Sequence, residues 1–306
     1  MTDRLHFIGV ATGGSSIFEL FPIWADLLGI QAEIEGRDIP LRASPEAFRA
    51  VVEEIAAAEA IRGALVTAHK VDVVRHAGDL FGELDPFARL CREVSCISKR
   101  DGDVVGHAKD PITAGLALDS MLGPDYWSAR RAHGLCLGAG GAGTAITVRL
   151  LTEEDRPERI VVTDTREERL EELRAVHSEL EASGVEYRRV ASPVETDALL
   201  EELPSGSLVV NATGLGKDAP GSPLSPQARF PPQAVVWELN YRGELDFLRQ
   251  ALRQADERSL SVHDGWRYFL HGWTEVIAEV FHLDLPPERF AVLAEAAEPY
   301  RPALPA

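Results

Sequence analysis

A chain of 306 residues, 45% of them hydrophobic, is long enough for about two domains with sizeable cores and too apolar to be globally disordered. Its formal net charge of −18 excludes nucleic acid and anionic membranes as main partners, because both are bound through clustered Lys and Arg. No apolar segment is long enough for a signal peptide or a membrane span, and the three cysteines, Cys91, Cys96 and Cys136, form no C-x-x-C pair. A cytoplasmic protein with a small-molecule partner and neither a disulfide framework nor a bound metal is therefore expected.

The elements alternate in the α/β manner. A strand over 5–10 leads through Gly13-Gly14-Ser15-Ser16 to a helix over 18–28, a strand over 34–39 and a helix over 45–60 with Ser44 as N-cap and Pro45 in first position. A third strand, 63–67, ends at Ala68-His69-Lys70; a helix over 72–81 and a hairpin of 94–98 with 104–106 around Asp101-Gly102 follow. His107-Ala108-Lys109-Asp110-Pro111 opens a helix over 112–122, and Gly123-Pro124 with the polar stretch 128–133 marks a domain boundary. Beyond it the pattern is strand and helix in turn. Strands fall at 135–137, 159–163, 185–190, 208–214 and 235–239, and helices at 144–151, 167–180, 195–203 and 245–255. A long apolar helix over 266–281 precedes a Pro-rich tail at 299–302.

The most informative stretch is Leu135-Cys136-Leu137-Gly138-Ala139-Gly140-Gly141-Ala142-Gly143-Thr144. A buried strand, glycines at Gly138, Gly140 and Gly143, and small helix-forming residues make a tight turn whose backbone can approach a pyrophosphate. The free N–H groups and dipole of the next helix meet that charge. Asp164 ends the next strand close to the interval of about 20 residues at which an acid grips an adenosine ribose. The other reading is an ordinary βαβ crossover whose glycines serve packing only. Cys136, inside the strand, reads as a small core residue.

Four motifs in this order resemble the shikimate dehydrogenase family over nearly the whole chain. They are Gly138-Ala139-Gly140-Gly141-Ala142, Asn211-Ala212-Thr213-Gly214-Leu215-Gly216, Glu238 with Tyr241, and Asp264-Gly265 before an apolar helix. The resemblance implies an α/β fold with an N-terminal substrate domain, 1–122 completed by 264–306, a Rossmann-type NAD(P)-binding domain, 123–263, and a cleft between them. It implies reversible hydride transfer between a nicotinamide and a secondary alcohol, with a homodimer as an expected assembly. Lys70 and Asp110 take the positions of the catalytic pair, and Ser15, Thr67, Ser95, Tyr241 and His271 those of substrate contacts. Gly143, Asp164, Thr165, Arg166, Asn211, Ala212, Thr213, Gly214, Leu239 and Gly265 join the glycine turn as cofactor contacts. Chemistry supports the pair independently: the alcohol oxygen needs a proton acceptor as hydride leaves carbon, a partly buried lysine can have its pKa lowered towards neutral, and a carboxylate can position it. The plainer readings are a solvated helix-start lysine and an N-cap ahead of Pro111.

The pattern also departs from the family. Val66-Thr67-Ala68-His69-Lys70 is one residue short and lacks a proline, Ile17 replaces the second serine of a pair, and Ser95 stands for an asparagine. Ala108-Lys109 replaces Asn-Thr, and a glutamine falls on Gly272, beside His271. Changed ring contacts point to dehydrogenation of a different small polar cyclic acid or polyol; Lys109 and His271 are candidates for new anion contacts, the plainer reading of each being an ordinary polar residue. Authentic shikimate or quinate dehydrogenation and a catalytically silent nucleotide-binding sensor are the alternatives. Asp164-Thr165-Arg166 stands where NADP-preferring members carry Asn-Arg-Thr, which favours NAD over NADP, although Arg166 and Arg169 lie near.

Overall fold

The first apolar run becomes β1 (Asp3–Gly9), whose last five residues are buried. The computed structural model describes residues 2–217 and 219–304. It continues with α1 (Ile17–Leu28), β2 (Ala32–Asp38), α2 (Pro45–Ala57), β3 (Ile61–Val66), α3 (Lys70–Ala77), β4 (Glu83–Leu84), α4 (Pro86–Cys91), β5 (Cys96–Arg100) and β6 (Asp103–His107). These strands form one sheet of order β2-β1-β3-β5-β6-β4, with β1 parallel to both neighbours. The hairpin expected around Asp101-Gly102 is β5–β6, and both turn residues have positive φ, 53° and 95°.

The chain then forms α5 (Asp110–Met121), α6 (Tyr126–Arg130), β7 (Gly134–Leu137), α7 (Gly141–Thr152), β8 (Ile160–Asp164), α8 (Glu167–Ser178), β9 (Val185–Arg189), α9 (Pro193–Glu201), β10 (Leu208–Asn211), β11 (Val235–Glu238), α10 (Asp246–Leu252), α11 (Ala255–Arg258), β12 (Ser261–His263), α12 (Trp266–Val280) and α13 (Pro287–Ala297). It divides into a first unit, residues up to 110 with 270–301, and a second unit built on 111–269.

In the first unit the core gathers Ile8, Phe48, Val52, Ile55, Val66, Val73 and Ile97 between the sheet and α2–α3. The opposite layer is α1 with α12 and α13. Trp24, fully buried on α1, donates its Nε1–H to the Leu293 carbonyl of α13 at 2.9 Å. Phe7 of β1 meets Trp273 of α12 edge-on, ring centroids 4.9 Å apart.

The second unit is an all-parallel sheet of order β12-β11-β10-β7-β8-β9. Its strands read as continuous apolar runs because both faces are covered: Cys136, Val162, Val210 and Trp237 enter one core, Leu135, Leu137, Val161, Val209 and Val236 the other. Chain order reverses between β7 and β10, the point at which open α/β sheets bind ligands beyond the carboxyl ends of their strands.

Several expectations shift. α3 starts at Lys70 rather than 72. α4, α6, α11 and α13 are helices where none was expected, and the Pro-rich end makes a 3-10 turn, Glu298–Tyr300. No helix of the described residues is long and apolar enough to cross a membrane, and no group of three or more His, Cys, Asp or Glu among them could hold a metal ion.

Candidate functional site

In the second unit, β7 ends at Leu137 and the chain turns at Gly138, whose φ of 108° and whose approach to the Ala212 carbonyl, 2.7 Å from where a Cβ would stand, both demand glycine. The Gly138 amide donates to the Thr163 carbonyl at 2.8 Å, which binds the turn to β8. Gly140 caps α7 without any side-chain hydrogen bond, and no atom lies within 4 Å of its missing Cβ. The helix start is thus open to an incoming anion while its neighbours are packed.

Asp164 stands beside this turn. One carboxylate oxygen accepts from the Ala139 amide at 3.0 Å and the other from the Arg166 amide at 3.0 Å. Gly138, Gly140, Asp164, Thr165, Arg166, Ala212 and Thr213, all expected cofactor contacts, line one cavity of about 340 Å³. The segment Val190-Ala191-Ser192 after β9 also lines it, and sequence reasoning missed that segment because it carries no motif. Its signal was topological: β9 lies next to β8, so the loop leaving it must pass the same strand ends.

Asn211, fully buried at the end of β10, shapes the second turn by accepting from the Thr213 amide at 3.2 Å and the Thr213 hydroxyl at 2.6 Å. Its amide donates to Glu238 at 2.6 Å, and Glu238 also accepts from the Asn240 backbone and side chain at 2.8 and 2.7 Å. Burial nevertheless pushes the Glu238 carboxyl up to about 7. Leu239 donates to the Asn211 carbonyl at 3.2 Å, and Gly265 packs so closely on the Leu239 carbonyl that no side chain would fit there. Tyr241 lies in an aromatic cluster, 4.6 Å from the Phe269 ring and 5.5 Å from that of Trp266.

In the first unit, Lys70 at the start of α3 and Asp110 at the start of α5 form an ion pair, with side chains 23% and 16% exposed. Burial acts to lower the Lys70 amine, but the charges of Asp110 and Glu93 and the hydrogen bond to Asp110 outweigh it and hold the amine above the usual lysine value. The lowering towards neutrality anticipated from burial alone is therefore reversed. Glu93, just ahead of β5, is 3% exposed, and burial pushes it up to about 7.

The other expected contacts have definite neighbours. The Ser15 hydroxyl accepts from the Ile17 amide at 3.4 Å ahead of α1. The Thr67 hydroxyl donates to the Ile8 carbonyl at 3.4 Å beyond the end of β3. The Ser95 hydroxyl accepts from the Lys109 amide at 2.8 Å, and the Lys109 ammonium pairs with Glu279 of α12 at 2.5 Å. His271, 5% exposed, stacks on Phe290 of α13, ring centroids 3.8 Å apart. The charge of Lys109, a candidate contact for a substrate anion, is thus matched within the protein, as the plainer reading has it.

A parallel sheet whose strand order reverses beside a glycine turn and an uncapped helix start defines the Rossmann class of dinucleotide-binding unit. No family model matches the chain. A shikimate dehydrogenase (NADP+) of Streptococcus thermophilus is 28% identical over 176 residues, 57% of this chain and 58% of that protein. The chain thus spans little more than half the length of that curated relative. Another, from Methylocella silvestris, is 27% identical over 259 residues, 84% of this chain and 83% of that one. Among solved structures, a quinate dehydrogenase from Corynebacterium glutamicum in complex with NAD shares the fold at a TM-score of 0.78 and 18% identity, over 96% of this chain and 98% of that one. In sequence the chain is similar to shikimate dehydrogenases, and its fold is that of the quinate dehydrogenase structure.

Proposed function

We propose that the chain is an NAD(P)-dependent oxidoreductase that interconverts a secondary alcohol and a ketone on a small polar substrate, a cyclic acid or a polyol. The observation that carries this reading is the Lys70–Asp110 pair, partly shielded from water in a chain that also holds a Rossmann unit. An alcohol oxygen must lose a proton during oxidation and a ketone oxygen must gain one during reduction. Lys70 serves as that donor and acceptor, and Asp110 fixes its position and stabilises its charge. Ser15, Thr67, Ser95, Tyr241 and His271 are the side chains we assign to substrate, the first three as hydroxyls near strand and helix starts of the first unit.

The second unit suits a dinucleotide. Its cavity of about 340 Å³ falls in the usual range for ligand sites, and the open space at Gly140 admits a pyrophosphate to the α7 amides. Gly138 to Gly143 would hold the pyrophosphate, Asp164 with Thr165 and Arg166 the adenosine ribose, and Asn211 to Gly214, Leu239 and Gly265 the remaining half. When bound, the nicotinamide supplies or takes up the hydride. We favour NAD over NADP because the Asp164 carboxylate suits a pair of hydroxyls and repels a phosphate; Arg166, 62% exposed, is the opposing cation.

A substrate other than shikimate is supported by Ile17 in place of a serine and by the engagement of the Ser95 hydroxyl with the Lys109 amide. Titration with NAD and NADP by calorimetry, followed by an absorbance screen at the nicotinamide band against shikimate, quinate and related cyclitols and sugars, tests the reading. Turnover of shikimate would restore the family's substrate. Nucleotide binding without turnover of any alcohol would leave a silent sensor, and failure to bind either nucleotide would remove the reading altogether.

A further inference from the structure

The pair of Lys70 and Asp110 has a third titratable neighbour that the proposed reaction does not use. Glu93 lies in the short connection between α4 and β5, and the next residue, Val94, donates its amide to the Lys70 carbonyl at 3.0 Å, which ties this connection to the start of α3. The Glu93 side chain is 3% exposed, and its Oε1 finds no hydrogen-bond partner among the described residues. A buried carboxyl with an empty acceptor is costly unless a charge compensates it. The cation acting on it is Lys70, with Asp110 as the opposing anion. Cys91, at the end of α4, completes the titratable groups around Lys70; its thiol is pushed up by burial and by Glu93, Asp110 and Asp85, so it stays neutral.

One buried carboxyl, Glu93, and one partly buried, Asp110, thus act on a single ammonium. We propose that Glu93 is a positioning residue for Lys70, a second carboxyl that works with Asp110 to hold the Lys70 ammonium at the start of α3. At neutral pH the site is then set to give a proton to a ketone oxygen. For the reverse reaction the amine must first be discharged against two carboxyls. The direction of both shifts agrees: Lys70 is held above the usual lysine value, Glu93 above the usual carboxyl value. This role rests on Lys70 and Asp110 being the proton-transfer pair, but its first test needs no substrate.

The chain has four lysines, Lys70, Lys99, Lys109 and Lys217, so each can be followed as a 13C-methylated amine by NMR in the full-length protein, with Lys70→Arg assigning the signal. In Glu93→Gln the Lys70 midpoint should fall by about one pH unit while the other three stay in place. An unchanged Lys70 midpoint would overturn the role. In the unaltered protein the Lys70 signal should show a second inflection near neutral pH, where Glu93 ionises; its absence would overturn the role even if Glu93→Gln did not fold. Once a substrate is known, the alkaline limb of kcat for alcohol oxidation should move to lower pH in Glu93→Gln with KM unchanged. A limb that stays in place would also overturn the role. If no alcohol is turned over, the proposed reaction fails, while the NMR titration still decides what Glu93 does.

Discussion

The Lys70 ammonium donates to a carboxylate oxygen of Asp110, although the two residues lie on different helices and are 40 positions apart in the chain. Each stands at the first position of its helix, so short, well-anchored backbone fixes both. Lys70→Met should cut turnover by roughly 10²–10⁴-fold, the usual contribution of a positioned proton donor, while calorimetric nucleotide affinity stays the same. Equal losses of affinity and rate would place Lys70 in binding rather than in proton transfer.

Gly140 separates the two readings of the glycine turn. Its φ of −80° suits any residue and the space beside it is open, so Gly140→Ala should leave stability within about 1 kcal/mol. The added methyl would still stand where a pyrophosphate must approach, so NAD affinity should fall by about tenfold or more. Unchanged affinity in a folded variant would mean that the turn serves packing alone.

His177 gives the second unit an acid-sensitive joint. The Thr147 hydroxyl donates to the Gly143 carbonyl at 2.7 Å and so accepts from His177 Nε2 at 2.9 Å, which leaves Nδ1 to accept from the Tyr187 hydroxyl at 2.9 Å. Burial lowers this imidazole to about 4, whereas the unfolded chain takes up the proton near pH 6.5. Between these values the unfolded state holds more protons, so stability rises with pH and is lost on acidification, by about 3 kcal/mol across the window. Denaturant unfolding at a series of pH values should show that slope in the unaltered protein and a flatter one in His177→Gln. Parallel curves would refute it.

For cofactor choice, Asp164→Asn keeps an oxygen for the Ala139 amide but removes the charge that opposes a phosphate. The ratio of NADP to NAD affinity should rise about tenfold, equivalent to about 1.4 kcal/mol. An unchanged ratio, measured by paired titrations, would reduce Asp164 to a tie on the glycine turn.

What could be read from the residues alone was whatever a short pattern encodes. β7, the turn at Gly138 and the hairpin at Asp101-Gly102 each follow from a few neighbours, and Lys70 and Asp110 stood out by motif. α4, six residues long, is too short to display an apolar period, and α6 and α11 are shorter still. Glu93 carries no motif and was not singled out, because the charges that act on it, Lys70 and Asp110, come from other elements. Lys109 looked available to a ligand because its counter-ion, Glu279, is 170 residues away. Motifs locate a site, whereas its electrostatics come from tertiary neighbours that no local pattern names.

The bond from Trp24 to the Leu293 carbonyl has a consequence for biosynthesis. The first unit is completed by residues 270–301, so α1 has no α13 to pack on until the whole of 111–269 has left the ribosome. The second unit, whose sheet and helices lie within 111–269, can fold as it emerges. The half of the protein that starts first therefore finishes last, and its apolar α1 face waits uncovered in the meantime. A premature stop anywhere in the final helices would leave a finished nucleotide unit attached to an unfinished partner.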